Sequence, residues 1–258
     1  MLLSSKNVLV FAATGAIANE VARKFACEGA HVWLSGRNAD ALEQLVQQIA
    51  DAGGTAKADI VDATDATAVT DYVNRIAATA GSIDAVFNGI GGRPADLGYP
   101  EPSTTVELSQ FLKPLQIILG STFLTSRAVG ALMMQQGSGA IVTLSATLSG
   151  MTAANMAGIS ATCGAIEAMT RSLAGEFGRA GVRVNCVRGS AMPETRTIQE
   201  TIAGQIQIFG EMPPMALPPL GRPISVAETA STAAFLASDA SSGMTGQVVT
   251  VCAGAFVG

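Results

Sequence analysis

Short, apolar, β-rich runs recur along the chain at residues 7–12, 31–35, 55–58, 85–88, 140–144, 182–187 and 247–251, and segments with helical spacing fill the intervals between them. Parallel pairing of successive strands needs a crossover long enough to hold a helix, and that crossover is right-handed in nearly every known case. Repeated along one chain, this alternation predicts a parallel sheet covered by helices on both faces, a doubly wound α/β arrangement. The first unit shows the pattern in detail. After the β-rich run 7–12, the apolar residues Ile17, Val21, Ala22 and Phe25 take up helical spacing, and Gly29 stops it. Further helices are expected over 39–52, 66–80, 106–136, 157–179 and 226–238.

No linker, low-complexity stretch or sequence repeat divides the chain, so residues 1–258 are read as a single Rossmann-type domain. The one long irregular region is 190–223. It carries Met192, Ile198, Ile202, Ile206, Ile208, Phe209, Met212 and Met215, with prolines toward its end. This stripe suits either a lid over a greasy substrate or ordinary packing against the sheet edge.

Charge narrows the partners. Only 14% of the residues are charged, against about 25% in an average domain. The long helical stretches 106–136 and 157–179 are apolar on more than one face, with Leu119, Phe123, Leu124, Val129, Leu132 and Met133 among them. Helices apolar nearly all round must be covered on both sides, which predicts association with other subunits. A net charge of -5, without any cluster of Lys or Arg, argues against nucleic acid. Cys27, Cys163, Cys186 and Cys252 lie far apart and His31 is the single histidine, so neither a disulfide framework nor a metal site is expected, and a reduced cytoplasmic setting fits. The start of the chain has the outline of a signal peptide but reads better as strand, turn and helix, and no apolar run approaches the ~18 residues of a membrane span.

In such a sheet the first strand-to-helix turn is where a dinucleotide pyrophosphate normally sits. The turn here is Phe11-Ala12-Ala13-Thr14-Gly15-Ala16-Ile17-Ala18. It holds a single glycine, and as a motif it is a weak cofactor signal.

Several segments together resemble the short-chain dehydrogenase/reductase family, almost end to end. Ala26-Cys-Glu-Gly-Ala-His-Val32 leads into Ser35-Gly36-Arg37; Ala58-Asp59-Ile60 resembles the family's third-strand Asp-Val; and Phe87-Asn88-Gly89-Ile90-Gly91 resembles a variant of its Asn-Asn-Ala-Gly. Gly164-Ala-Ile-Glu-Ala-Met-Thr-Arg-Ser-Leu-Ala174 is similar to its active-site helix, Val182-Arg-Val-Asn-Cys-Val187 to its sixth strand, and Gly221-Arg-Pro, 234–239 and Thr245-Gly246 to its carboxyl end.

The resemblance implies a Tyr-x-x-x-Lys just before Gly164 and a Ser thirteen residues before that Tyr. Those positions hold Ile159, Cys163 and Ala146, and the position of a fourth catalytic residue, an Asn, aligns with Ile118. Ala16-Ile17-Ala18 is similar to the enoyl-carrier-protein reductase branch, whose Tyr lies seven residues before the Lys, but that position is Met156. A phenol beside an ammonium supplies the proton when a carbonyl takes a hydride, and Ile has no proton to give. The candidate substitutes are Ser145, one residue from the lost Ser, and Cys163 as a nucleophile; Thr147, Asn155, Arg188 and Tyr99 are polar residues expected near the pocket, and His31 is read as structural.

For cofactor binding the resemblance implies Ala12, Thr14, Gly15, Ala16 and Ile17 at the phosphates, Arg37 at a 2′-phosphate, and Asp59, Ile60, Asn88 and Gly89 around the adenosine. Arg37 stands where an acid would select NAD, so NADP(H) is the expected dinucleotide. Ala12 and Ala16 replace the family's first and second glycines and add methyl groups beside the phosphates. Three functions remain open: NADP(H)-linked reduction of an apolar substrate without the usual Tyr, such as a conjugated alkene; a non-redox cyclase, lyase or isomerase; and a catalytically silent subunit, a pseudoenzyme paired with an active relative. The family's use of the two long helices as an interface implies a homodimer or homotetramer, whereas the silent subunit requires a hetero-oligomer.

Overall fold

The computed structural model describes residues 1–211 and 217–256. Seven parallel strands are ordered β3-β2-β1-β4-β5-β6-β7, with β1 at Asn7–Phe11, β2 at His31–Gly36, β3 at Thr55–Ile60, β4 at Ala85–Asn88, β5 at Gly139–Ala146, β6 at Val182–Gly189 and β7 at Val248–Val251. β1 pairs on one side with β2 (Val10 opposite Leu34) and on the other with β4 (Val10 opposite Phe87, Phe11 opposite Asn88). The order reverses between β1 and β4, which places the ligand crevice at their carboxyl ends.

Alternation along β1 divides the core. Val8 and Val10 point into a cluster with α1 (Ala16–Cys27), α2 (Ala39–Asp51) and α9 (Val226–Ala237). Leu9 and Phe11 point the other way, to α3 (Ala66–Ala80), α6 (Gly120–Gln136) and α7 (Ala157–Phe177). Local chemistry starts several helices: Asp65 accepts from the amides of Thr67 and Ala68 at α3, and Ser225 with Glu228 closes a capping box at α9.

Two expectations need correction. The run 106–136 is not one regular helix. α4 (Pro94–Leu97) precedes it, and it divides into α5 (Leu108–Pro114), a π-helical turn at Leu115–Leu119, and α6. Pro114 has no amide to donate, and the wider turn follows directly after it. The stretch Leu108–Gln136 is 29 residues long and contains an 18-residue window of mean hydropathy 1.5, enough by length and composition to cross a bilayer. No uninterrupted apolar run in it approaches that length, because Gln, Gly, Ser, Thr and Arg break it. In this fold it is a packed helix, with Thr122, Thr125, Ser126, Val129 and Met133 buried.

The region 190–223 is likewise not irregular throughout: α8 occupies Arg196–Phe209, with Thr195 capping its start and Gly210 in the left-handed region at its end. Met212 and Met215 lie outside the described residues. The signal was present, since Ile198, Ile202 and Ile206 recur at four-residue spacing between a Thr and a Gly.

Candidate active site

The β1–α1 turn is tight. Gly15 donates to the carbonyl of Ala12 at 3.0 Å, and Ala13 donates across to Ser35 on β2 at 2.8 Å. Ala12 holds φ of +55°, a left-handed geometry that costs a non-glycine residue about 1 kcal/mol. The turn therefore keeps its shape despite the methyl group. Gly15 caps α1 without a side-chain hydrogen bond, and no acidic residue stands in the first turn. The first amides of α1 thus face the crevice with the positive end of the helix dipole behind them, which fits an anionic diphosphate. Gly89 closes the crevice floor: a Cβ there would meet the Ala18 Cβ at 2.5 Å and the Phe11 carbonyl oxygen at 3.3 Å. These backbone donors and this close packing fit a dinucleotide, and the residues that would hold it are Thr14, Gly15, Ala16, Ile17 and Gly89.

Around the rim, Arg37 is exposed just past β2, Ile60 is 68% exposed at the end of β3, and Asp59 binds Arg75 of α3 at 2.7 Å. One Asp59 oxygen is therefore already engaged. A groove of about 310 Å³ runs between α2 and the edge strand β3, lined by Leu42, Val46, Asp59 and Ile60 among others. Asn88 is buried; its Nδ2 donates to Ser126 at 3.0 Å, and its Oδ1 has no partner among the described residues.

The four aligned catalytic positions come together. Ile118, Ile159 and Cys163 are buried in one apolar cluster with Leu97, Tyr99 and Met156, and Ala146 packs against it. Where the family pattern implies a hydrogen-bonded Ser, Tyr, Lys and Asn, this chain has a dry contact. Burial pushes the Cys163 thiol up to about 11, so at neutral pH it is a protonated, inert group rather than a thiolate.

The polar substitutes turn elsewhere. Ser145 donates to Glu167 Oε1 at 2.9 Å, and Ser149 donates to the same oxygen at 2.7 Å. Arg188 forks onto both oxygens, Nε to Oε1 at 2.9 Å and Nη2 to Oε2 at 2.7 Å. Burial alone raises the Glu167 carboxyl, but the hydrogen bonds from Arg188, Ser149 and Ser145 outweigh it, and the group is held below its usual value. The Arg188 guanidinium also lies over the Phe256 ring, 4.9 Å from its centroid. Asn155 has φ of +63° and gives its amide to Gln205 of α8 at 3.2 Å. Thr147 is buried, and His31 is exposed at the start of β2.

α8 is tied to the start of α4 and to residues 154 and 155, and none of its own residues is buried. Polar ties hold it: Arg93, at the start of α4, meets Glu200 at 3.0 Å, and Gln205 donates to the Ala154 carbonyl at 2.9 Å, while Arg196 meets Glu200 at 2.8 Å within the helix itself. A cavity of about 10 Å³ lies between the segment after α4, α5 and the start of α7, lined by Leu97, Tyr99, Gln110, Phe111, Asn155 and Ile159 among others. That is room for about one water.

Glu167 escaped the sequence reading as a functional group, although it was quoted within the active-site helix. A charge on the buried stripe of α7, with Arg188 on the period-two face of β6, was the available signal for a buried pair.

Comparison with known proteins gives consistent results. The family model described as enoyl-(acyl carrier protein) reductase matches residues 12–255. An uncharacterized oxidoreductase of Bacillus subtilis (strain 168), YxbG, is 33% identical over 261 aligned positions, covering 98% of this chain and 91% of that protein. The (2S)-[(R)-hydroxy(phenyl)methyl]succinyl-CoA dehydrogenase subunit BbsC of Thauera aromatica is 32% identical, covering 97% and 94%. Among solved structures, 7α-hydroxysteroid dehydrogenase complexed with NADH and 7-oxo glycochenodeoxycholic acid superimposes with a TM-score of 0.86 at 27% identity, covering 98% of this chain and 94% of that one.

Proposed function

Because the chain belongs to the short-chain dehydrogenase/reductase family, we propose that it is an NADP(H)-linked oxidoreductase that reduces an apolar substrate without the Tyr-Lys pair of the family pattern. One observation carries this reading: the anion-binding turn at α1 is retained, whereas all four aligned catalytic positions lie together in an apolar cluster. A nicotinamide cofactor, when bound, supplies a hydride. Thr14, Gly15, Ala16, Ile17 and Gly89 would hold its phosphates through backbone groups, and Arg37 would select the 2′-phosphate by charge-assisted hydrogen bonds. Ala146, Ile159 and Cys163 offer no acid for a developing alkoxide. The suited substrate is therefore an activated alkene, whose reduced form takes its proton from water, rather than a simple ketone.

Calorimetric titration with NADPH and NADH tests the reading. NADPH is expected to bind at micromolar concentration and more tightly than NADH, and Arg37→Asp is expected to reverse the order. No heat at millimolar NADPH would overturn it. The exposed face of α6 and α7, with Phe123, Met134, Ala161 and Ala168, supports a homodimer through these helices, which light scattering checks.

A second reading is supported by the Thauera aromatica relative, whose name makes it one subunit of a dehydrogenase. A dry cluster at the catalytic positions also suits a silent subunit beside an active one. Recovery of this chain with a Tyr-containing family member from its native source would favour that reading over the homodimer.

A further inference from the structure

Tyr99 is one of only two tyrosines in the chain, and it enters the site from the wrong direction for the family pattern. It arrives not from α7 but from the loop after α4, where Gly98 turns in the left-handed region with φ of +76° and the Tyr99 amide donates to the Pro94 carbonyl at 3.1 Å. Its ring is 8% exposed and packs in the apolar cluster that contains Ile159, Cys163 and Ile118. It lines the small cavity beside Ile159, and its hydroxyl, unlike that of Tyr72, is not one of the fully buried groups left without a partner among the described residues. The other tyrosine, Tyr72, is sealed between Phe11 and Arg75 on the far side of the sheet core.

A phenol whose ring packs in an apolar pocket keeps a polar tip, which gives its hydrogen bond to water or to a ligand that takes the water's place. Burial first, with the Cys163 thiol and the Glu200 carboxylate nearby, holds this phenol above its usual value, so it is neutral and protonated at any working pH. It is a neutral hydrogen-bond donor on an apolar cluster. A donor of that kind, surrounded by Leu97, Ile118, Met156 and Ile159, matches one ligand chemistry: an apolar molecule with a single carbonyl oxygen.

Resting on the reductase reading, we propose that the Tyr99 hydroxyl donates a hydrogen bond to the carbonyl oxygen of an α,β-unsaturated apolar substrate, and so fixes which carbon faces the nucleotide crevice. The bond strengthens as the carbonyl oxygen gains negative charge, which is where a preorganised donor contributes most. The cavity is smaller than such a ligand, so binding has to widen it; of the neighbouring elements α8 gives most readily, because it buries no residue and is held by Arg93–Glu200, the Gln205 hydrogen bonds and the contact of Gly204 with Pro100, where a Cβ would meet the proline ring at 2.8 Å.

With only Tyr72 and Tyr99 present, protein labelled with ring-¹³C tyrosine gives two separable sets of signals, one of them an internal control. The probes are 4-phenyl-3-buten-2-one, an apolar enone, and 1-phenyl-1-butene, which has the same skeleton without the carbonyl. The enone is expected to move the Cζ resonance of Tyr99 and leave Tyr72 in place, and the hydrocarbon to leave both Cζ resonances in place. Tyr99→Phe should weaken the enone about three- to tenfold and leave the hydrocarbon's affinity unchanged. Equal enone affinity in wild type and Tyr99→Phe, or an enone that leaves the Tyr99 signal unmoved up to its solubility, would overturn the proposal. The wild-type spectra decide the matter even should the variant fold poorly. NADPH titration of the same sample, followed by cofactor fluorescence, reports separately on the reductase reading: a Tyr99 response without NADPH binding keeps the hydroxyl's role and removes the reductase.

Discussion

Arg188 and Glu167 form a bidentate ion pair at 2.7 Å between β6 and α7, with 12% and 6% of their side chains exposed, one helical turn beyond Cys163. The two hydroxyls of Ser145 and Ser149 complete it, so the pair anchors the end of β5 and the turn after it. Breaking one partner of a buried pair leaves an uncompensated charge and costs about 3 kcal/mol. Arg188→Met is therefore expected to lower the melting temperature by about 6–12 °C, read by thermal unfolding at pH 7. The double variant Arg188→Met with Glu167→Leu should recover part of the loss.

The same pair gives a pH dependence. Glu167 has its carboxyl held below the unfolded-chain value of about 4.3, so its contribution to stability is fully present above that pH. It is lost as pH falls below about 4 through the lowered folded-state value. Thermal unfolding of wild type and Glu167→Gln from pH 7 to pH 3 should show the gap between the two closing at the acidic end; a constant gap would contradict the coupling.

Gly89 has no room for a methyl group, since its Cβ would press on Ala18 of α1 and on the backbone of Phe11. Gly89→Ala is expected to cost about 1–3 kcal/mol through overpacking. Because the strain falls at the amino end of α1, NADPH affinity should fall with stability. Denaturant unfolding and a cofactor titration measure the two effects separately.

Ile159→Tyr with Cys163→Lys and Ala146→Ser puts the family's proton-transfer groups back on α7 and β5. The Lys alone buries an unpaired charge and should destabilise strongly, whereas the triple variant should recover part of that loss through its new hydrogen bonds. Carbonyl reduction with NADPH, absent from wild type, is the expected gain. A folded triple variant that binds NADPH and reduces no ketone would show that the apolar pocket itself has diverged.

Glu200 joins Arg93 to Arg196, an exposed arrangement of the kind that contributes little to global stability. Glu200→Gln is expected to leave the melting temperature unchanged while raising amide hydrogen exchange across Arg196–Phe209. An unchanged exchange rate would mean that the Gln205 hydrogen bonds, rather than the ion pairs, hold α8 down.

The strand-helix alternation was readable along the chain because its causes are local: side chains alternate every two residues on β1 and every three to four on α1, and caps such as Asp65 and Ser225 act within three residues of themselves. Counted back from Gly164, the resemblance to the family sets Ala146, Ile159 and Cys163 at the positions of its Ser, Tyr and Lys. Where local signals conflicted, the reading failed. Pro114 inside an apolar run produced a π turn, and the prolines near 213–223 masked the four-residue spacing of α8 just before them.

Only the tertiary structure decided what those residues face. Ala146, Ile118, Ile159 and Cys163 come from β5, the π turn and α7, and they meet because the sheet order sets the carboxyl end of β5 beneath the start of α7. Ser145 and Ala146 are neighbours in sequence, yet the pleat sends them to different surroundings, one to Glu167 and the other to the apolar cluster. Arg93 and Glu200 are 107 residues apart, and Tyr99 and Ile159, far apart in sequence, share one apolar cluster. Periodicity carries no information about such pairings; they follow from which elements the parallel crossovers bring to one end of the sheet.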